Sequence, residues 1–396
     1  MMMDCNSFSC LPNQKRHMLR DASSASNSAL SRSLLADVFL PAGFPASVSS
    51  DYLEYQLWDT VQAFCSSIVG QLATRAVLKG VGVGDASATP LVAALTWTLR
   101  DGAGMLGRIV FAWAGSSSLD NDPRFWRLMA DVLNDLALFL DIIVSPMFGP
   151  QTVLPVLCLS SVLRAIVGVA GGASRMALTQ HQARRNNTAD VSAKDGSQET
   201  AVNLLALVTG LLLLPLVREE DRVTLWAVYV AFTLGHIVAN YKAVKAVVMD
   251  TFNEQRVDIV TQELATSGGK TILTPAQVAA RERLYYVRKP IRLGVRVTSD
   301  LIAQPGLDKA IGQAKSHSAK YIILTRQQQQ QGPASVKVVV AKEVAQNDWV
   351  AAAFEAHLAL LSAPIKVDDR LLSSLRDAGW NVDSCSFHAG EWRGEW

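Results

Sequence analysis

Two uncharged runs near the middle of the chain place the strongest constraint on its fold. Residues 200–217 (TAVNLLALVTGLLLLPLV) and 223–241 contain no Asp, Glu, Lys or Arg, and the residues between them, 218–222 (REEDR), are all charged. Each run has about the 20 residues that a helix needs to cross the core of a bilayer, and a charged turn suits the aqueous surface. The pattern predicts a transmembrane helical hairpin; two buried helices of a soluble protein are the alternative.

Four earlier segments have the length of membrane helices but contain more polar residues. Pro146 and Pro150 predict that one helix ends and another begins between them, because proline interrupts helical hydrogen bonding. With the hairpin, these segments predict a mainly α-helical membrane bundle. Its six predicted crossings are residues 61–80, 89–114, 126–145, 151–174, 200–217 and 223–244.

The Lys and Arg residues of the predicted loops indicate the orientation of the bundle. Loops after the second, fourth and sixth helices contain most of them, such as Arg124, Arg184 and Lys245, whereas the other loops contain few. Because cytoplasmic loops carry the excess of Lys and Arg, both termini are predicted on the cytoplasmic side. The organelle is left open, with a plastid or an endomembrane as the options.

The composition changes on both sides of the bundle. Residues 1–38 are rich in Ser and poor in acidic residues, which is typical of a disordered tail or an organellar transit peptide. After about residue 256, short β-branched runs such as 321–325 (YIILT) alternate with helical patterns, which predicts a small soluble α/β domain. The predicted division is a tail (1–38), a membrane domain (39–256) and a soluble domain (257–396).

Charge and cysteine usage narrow the classes of function. The chain has 37 basic and 35 acidic residues and a net charge of +2, so no overall positive field attracts nucleic acid. Its five cysteines form no C-x-x-C pair and no zinc-binding pattern. No nucleophile lies beside a base in the sequence. We therefore predict no enzyme, metal site or cofactor, and we expect the lipid bilayer as a partner.

Ionisable residues inside the predicted crossings are the candidate binding residues. Such groups are costly in a membrane and usually face a partner or a water-filled path. In the second helix, Arg100, Asp101 and Arg108 lie among glycines. They predict either a broken helix that lines a substrate path or a structural ion pair between these arginines and aspartates of the third helix. His236, in the sixth crossing, predicts an interhelical hydrogen bond instead.

The third and fourth helices supply the other candidates. Asp131, Asn134 and Asp135 lie on one helix face, for which a solvated inner face is the alternative. Arg164 has apolar neighbours on both sides, so the sequence predicts an aspartate or an anionic ligand beside it. His181 follows a stretch of small residues that favours close helix packing over a ligand contact. The predicted solute-binding set is Arg100, Asp101, Arg108, Asp131, Asn134, Asp135, Arg164 and His181.

Several long stretches resemble one protein family. They include 39–59 (FLPAGFPASVSSDYLEYQLWD), 99–113 (LRDGAGMLGRIVFAW), 168–183 (GVAGGASRMALTQHQA) and 193–204 (AKDGSQETAVNL). In this order they resemble the root UVB sensitive family, also known as a domain of unknown function associated with vitamin B6 homeostasis. The resemblance implies a role related to ultraviolet-B responses, vitamin B6 balance or auxin transport, to which plant members are linked. It implies no catalytic residues.

Two functions follow from these observations. The first is a transporter-like membrane protein for a small polar or anionic solute, whose arginines complement the charge of the solute. A six-helix unit would suit a homo-oligomer, or a hetero-oligomer with a related chain, since some members of the family act together. The second is a non-transporting scaffold or signalling component that recruits partners through its soluble domain.

Overall fold

The computed structural model describes residues 36–81, 89–147, 150–217, 221–296, 311–312, 320–326, 335–390 and 393. Six long helices come first. They are α1 (Tyr52–Gly80), α2 (Pro90–Leu119), α3 (Pro123–Met147), α4 (Pro150–Gln182), α5 (Thr188–Leu213) and α6 (Arg222–Ala246). The predicted tail, residues 1–38, lies almost entirely outside the described residues.

Helix α1 occupies the middle of the bundle, where it packs against α3, α5 and α6. Helix α2 lies at the edge and packs against α4. This contact is close because of two glycines: a Cβ atom on Gly104 would lie 2.6 Å from Ser161 Oγ, and one on Gly107 would lie 3.0 Å from Val162 Cγ1. Small residues let helix backbones approach in this way. Helix α2 runs without a break from Pro90 to Leu119, so the predicted break in 99–113 is wrong.

Three of the described helices, and not the predicted six, are long and apolar enough to cross a membrane. They are Thr152–Gln182, Thr188–Leu216 and Arg222–Ala246. The prediction of six crossings is wrong on this measure because polar and charged residues, such as Gln62 and Arg75 of α1, Arg100 of α2 and Arg127 of α3, lower the mean hydropathy of these helices. Two of the three helices, Thr188–Leu216 and Arg222–Ala246, contain the two uncharged runs of the predicted hairpin. The predicted break between Pro146 and Pro150 is also confirmed, since α3 ends at Met147 and α4 begins at Pro150.

A small α/β unit follows the bundle, as the sequence predicts. Its helices are α7 (Glu254–Ser267), α8 (Pro275–Arg281), α9 (Gln346–Leu360) and α10 (Asp369–Asp377). Its strands are β1 (Thr251–Phe252), β2 (Ile291–Leu293), β3 (Tyr321–Arg326), β4 (Ser335–Val340) and β5 (Asn381–Cys385). Strand β4 pairs in parallel with β2 and antiparallel with β3, and β1 pairs in parallel with β5. The glutamine-rich connection between β3 and β4 lies outside the described residues.

Aromatic packing forms the core of the α/β unit. The ring of Phe252 stacks on that of Trp380 at 4.3 Å and meets the ring of Phe354 edge-on at 5.1 Å. The indole N–H of Trp380 donates to the carbonyl of Leu273 at 2.8 Å, so the buried ring leaves no polar atom without a partner. This core joins residues from both ends of the unit, from strand β1 to strand β5.

A buried cluster of charges fixes the α/β unit to the bundle. The Glu282 carboxylate lies 2.6 Å from Arg124 NH1 and 3.0 Å from Arg256 NH2, and all three side chains are 3% exposed or less. Arg124 also donates to the carbonyl of Val244 at 2.9 Å, and Arg256 to that of Thr251 at 2.9 Å. Through these two arginines, the Glu282 carboxylate connects the start of α3, the end of α6 and the start of α7.

Candidate functional site

A row of buried polar side chains crosses the interior of the bundle between α1, α3 and α6. Its members are Asp59, Gln62, Arg127, Asp131, Asp135 and His236, which we call the polar row. The Arg127 guanidinium bridges two of its carboxylates, at 2.7 Å from Asp59 and 3.9 Å from Asp131. Arg127 and Asp131 are one helical turn apart, so α3 itself places them side by side. Asp131 and Asp135, which the sequence places on one face of α3, both lie in the polar row.

His236 connects the three helices of the polar row. Its Nδ1 lies 2.8 Å from Asp135 Oδ2, and its Nε2 lies 3.0 Å from Gln62 Nε2. The imidazole is fully buried. Nε2 accepts a hydrogen bond if the Gln62 amide donates to it, and Nε2 donates one if the amide is rotated to accept. The predicted interhelical hydrogen bond of His236 is confirmed.

Four buried polar atoms in or beside the polar row have no hydrogen-bond partner in the described part of the chain. They are Arg127 Nε, Asp131 Oδ2, Asp135 Oδ1 and Asn240 Nδ2. Buried polar groups are nearly always satisfied by protein or by ordered water, so this concentration is unusual. A small polar guest in contact with these atoms would supply the missing hydrogen bonds. Two of the four atoms are carboxylate oxygens, which accept hydrogen bonds, and two are N–H groups, which donate them, so the guest must do both.

Asn134 does not belong to the polar row. Its amide donates to Ser66 Oγ at 3.2 Å and so joins α3 to α1. Arg164 pairs with Asp141 of α3, whose side chain is only 1% exposed. The predicted aspartate partner from the third helix therefore exists, but it is Asp141 and not Asp131 or Asp135.

The three candidates on α2 lie away from the polar row. The Arg100 guanidinium lies over the ring of Trp97, 4.7 Å from its centre, while Asp101 and Arg108 are exposed. The ion pairs that the sequence predicts between these arginines and the aspartates of α3 do not form among the described residues, since Arg127 and His236 take those positions. These ion pairs do not form because α2 packs at the edge of the bundle, against α4.

His181 lies at the end of α4, outside the polar row. Its Nε2 is 3.0 Å from Asp51 Oδ2 and its Nδ1 is 3.6 Å from Asp250 Oδ1. Burial raises the pKa of Asp250, but hydrogen bonds from His181 and Arg184 outweigh burial and lower its pKa to about 2. Asp51 also accepts the backbone N–H of Val248 at 2.7 Å. His181 thus joins the start of α1 to the segment after α6, which is the packing role that the sequence favours.

Comparison with known proteins identifies the family. The model of the "Vitamin B6 photo-protection and homoeostasis domain" matches residues 25–268. RUS family member 1 of Dictyostelium discoideum is 44% identical over 265 residues, which cover 66% of this chain and 50% of that protein. Protein root UVB sensitive 3 of Arabidopsis thaliana is 34% identical over 389 residues, which cover 90% of this chain and 85% of that protein. The chain belongs to the root UVB sensitive family. No solved structure matches it.

The root UVB sensitive match contains the whole polar row. It covers all six bundle helices and ends at Gly268, the residue that follows α7. Strands β2 to β5 lie outside it. The polar row is therefore part of the domain that defines the root UVB sensitive family, and the greater part of the α/β unit is not. Sequence reasoning missed Asp59 and Gln62, because their position depends on which helices pack together. It also missed Arg127, although the spacing of four residues places Arg127 beside Asp131 on α3.

Proposed function

We propose that the bundle is embedded in a lipid bilayer and that its polar row binds a small polar solute during transport across it. The outer surface supports the membrane part of the proposal. On α2, Met105, Leu106, Ile109 and Trp113 are exposed on successive turns, and Trp113 is 85% exposed. Soluble monomers rarely leave apolar patches larger than about 600 Å² on their surface, because water disfavours them.

Helices α5 and α6 add to this apolar exterior. Their exposed residues include Leu204, Leu211, Leu212, Leu234 and Val238. The bundle is therefore apolar outside and ionisable inside, which is the reverse of an ordinary soluble helical bundle. Interior Asp, His and Arg groups of membrane proteins usually mark the paths of protons, ions or polar solutes.

The observation that carries the transport proposal is the set of buried polar atoms without partners beside His236. Two of these atoms accept hydrogen bonds and two donate them, so they favour a solute with hydroxyl groups, which can do both, over a purely anionic one. The family description concerns vitamin B6, and pyridoxine, the simplest form of that vitamin, is a pyridine ring with several hydroxyl groups. We therefore propose a pyridoxine-like solute and a role in vitamin B6 homeostasis.

The exposed charges of α2 support an oligomer. Asp101 and Arg108 lie among apolar residues that would otherwise face lipid, where charged groups are costly. A second copy of the chain, or a related family member, would cover them at an interface. The orientation with both termini on the cytoplasmic side stays a prediction.

Uptake of labelled pyridoxine into proteoliposomes tests the transport proposal. We expect uptake that saturates with pyridoxine concentration and exceeds that of protein-free vesicles. If the two kinds of vesicle take up pyridoxine equally, the transport proposal fails, and the scaffold alternative, in which the α/β unit recruits partners, takes its place.

A further inference from the structure

A basic segment begins at the last residue of α8 and runs through β2. Residues 281–296 (RERLYYVRKPIRLGVR) contain six Lys and Arg residues and one acidic residue, Glu282. Glu282 is buried and pairs with Arg124 and Arg256, so it does not neutralise the surface of the segment. Clusters of about four to eight basic residues next to a membrane helix are typical of chains that contact anionic lipid headgroups.

Exposed and covered side chains alternate along the middle of this segment. The exposed ones, which we call the surface strip, are Arg283, Tyr285, Val287 and Lys289. Tyr285 is 71% exposed and Val287 is 73% exposed. Between them, Tyr286 is half-buried, and its phenol donates to Asp258 at 3.1 Å. Alternation is the period of an extended chain, so the strip occupies one side of the segment and Tyr286 holds the other side to the α/β unit.

The two cations of the surface strip are available to an external anion. Arg283 forms no ion pair with any described residue, and Lys289 Nζ lies 3.8 Å from the nearest paired carboxylate, that of Asp258. By contrast, the neighbouring Arg281 and Arg288 pair with carboxylates of α7 at 2.8 and 3.2 Å. The positive charge of the strip therefore belongs mainly to Arg283 and Lys289.

The surface strip lies at one end of the bundle. The ring of Tyr285 is 6.2 Å from that of Phe125 at the start of α3. Just before the strip, the carbonyl of Glu282 accepts a hydrogen bond from Lys245 Nζ, at the end of α6, at 2.8 Å. The start of α3 and the end of α6 are on the side that the loop charges predict to be cytoplasmic. Anionic lipids concentrate in the cytoplasmic leaflet of membranes.

The apolar exterior of α2 leads to the same place. Trp113, which is 85% exposed, is followed along α2 by Ser118, which lies about 7.5 Å further along the helix axis. Ser118 and Tyr285 line one cavity. Exposed Trp and Tyr residues are enriched where a membrane meets water. With Trp113 at the edge of the lipid, Tyr285 is therefore at the height of the lipid headgroups.

The side chains of the strip favour a lipid surface over a nucleic acid. Binding to a phosphate backbone depends on charge, to which Val287 contributes nothing. At a bilayer surface, Val287 and Tyr285 bury apolar area beside the headgroups, while Arg283 and Lys289 extend toward the lipid phosphates.

We infer that the surface strip docks on the bilayer and binds anionic lipid headgroups through Arg283 and Lys289. The inference rests on the proposed placement of the bundle in a bilayer, and it adds a requirement for lipids of negative charge. Neutral lipids offer the same apolar surface but no net charge for the two cations.

Titration of the full chain with phosphatidylserine in mixed micelles of a neutral detergent tests the inference. An environment-sensitive fluorophore is attached through Val287→Cys in a chain that lacks the natural cysteines. We expect a saturable shift of its emission to shorter wavelength with phosphatidylserine and none with phosphatidylcholine. High salt should reverse the shift, because it screens exposed charges. The double change Arg283→Gln and Lys289→Gln should weaken the apparent affinity about 30-fold, the loss of two charges at an anionic surface.

The double change Lys366→Gln and Arg370→Gln is the matched control. It also removes one lysine and one arginine from exposed positions of the α/β unit, but outside the basic segment. It should leave the affinity for phosphatidylserine unchanged. The inference is overturned if phosphatidylserine causes no shift, if phosphatidylcholine causes an equal one, or if the two double variants behave alike. An equal response to soluble phosphoserine would also overturn it, because a free headgroup would then suffice.

A second fluorophore, attached through Met105→Cys on α2, separates this inference from the proposed function. In bilayer discs of phosphatidylcholine, emission typical of lipid at this position supports the placement of the bundle in the membrane. Emission typical of water there contradicts that placement, whereas the phosphatidylserine titration at position 287 decides the docking of the strip by itself.

Discussion

Replacing Glu282 with glutamine should lower the free energy of unfolding by about 3–5 kcal/mol. Among the described residues, Glu282 is the one carboxylate that contacts both Arg124 and Arg256, and these two guanidinium groups are almost completely buried. Glutamine has nearly the same shape but no charge, so both arginines would remain buried without a counter-charge. Chemical unfolding of the purified protein in detergent, followed by circular dichroism, measures the loss.

Glu263→Gln is the control for Glu282→Gln. Glu263 also pairs with an arginine, at 2.8 Å from Arg281, but that arginine is about half exposed. Exposed ion pairs contribute about 1 kcal/mol or less, so this change should have a small effect. Similar small losses for both variants would show that the Glu282 cluster does not hold the α/β unit to the bundle.

Replacing Asp135 with asparagine should reduce pyridoxine uptake by about 10- to 100-fold, the effect of losing one charge-assisted hydrogen bond in a buried site. The asparagine oxygen can still accept the hydrogen bond from His236 Nδ1, so the fold should be retained. What is lost is the negative charge and the ability to take up a proton. Proteoliposome uptake and the melting temperature should be measured on the same preparation.

Asp377→Asn is the control for Asp135→Asn, since it makes the same change at an exposed position at the end of α10, outside the bundle. It should leave uptake at the wild-type level. If Asp135→Asn also transports normally, the polar row is a structural network that joins α1, α3 and α6, and the solute path lies elsewhere.

Local patterns were enough to predict the elements that depend on composition. The helical hairpin was found because its two runs lack charges, and membrane crossing depends on such runs. The start of α5 was missed, since the polar residues 188–199 form helix as readily as apolar ones do. A hydropathy pattern therefore locates the apolar part of a helix and not its end.

Contacts between helices could not be predicted in the same way. The spacing of Asp131 and Asp135 placed both on one face of α3, and Arg127, four residues before Asp131, shares that face. No local signal showed that His236 of α6 would meet them. Arg164 was expected to need an aspartate of α3, and the helix offers several; only the register between α3 and α4 selects Asp141. The Glu282 cluster depends likewise on residues that are far apart in sequence.

Labelling of single cysteines tests whether the bundle crosses the membrane. Arg185 and Arg222 are exposed residues at opposite ends of α5, just before it starts and just after the turn that follows it. Each would be replaced by cysteine in a separate variant that lacks the natural cysteines. Each variant would then be reconstituted into sealed vesicles with the protein in one orientation. If α5 crosses the bilayer, a membrane-impermeant maleimide should label only one of the two positions until detergent is added. Equal labelling of both positions in sealed vesicles would show that α5 does not cross the bilayer.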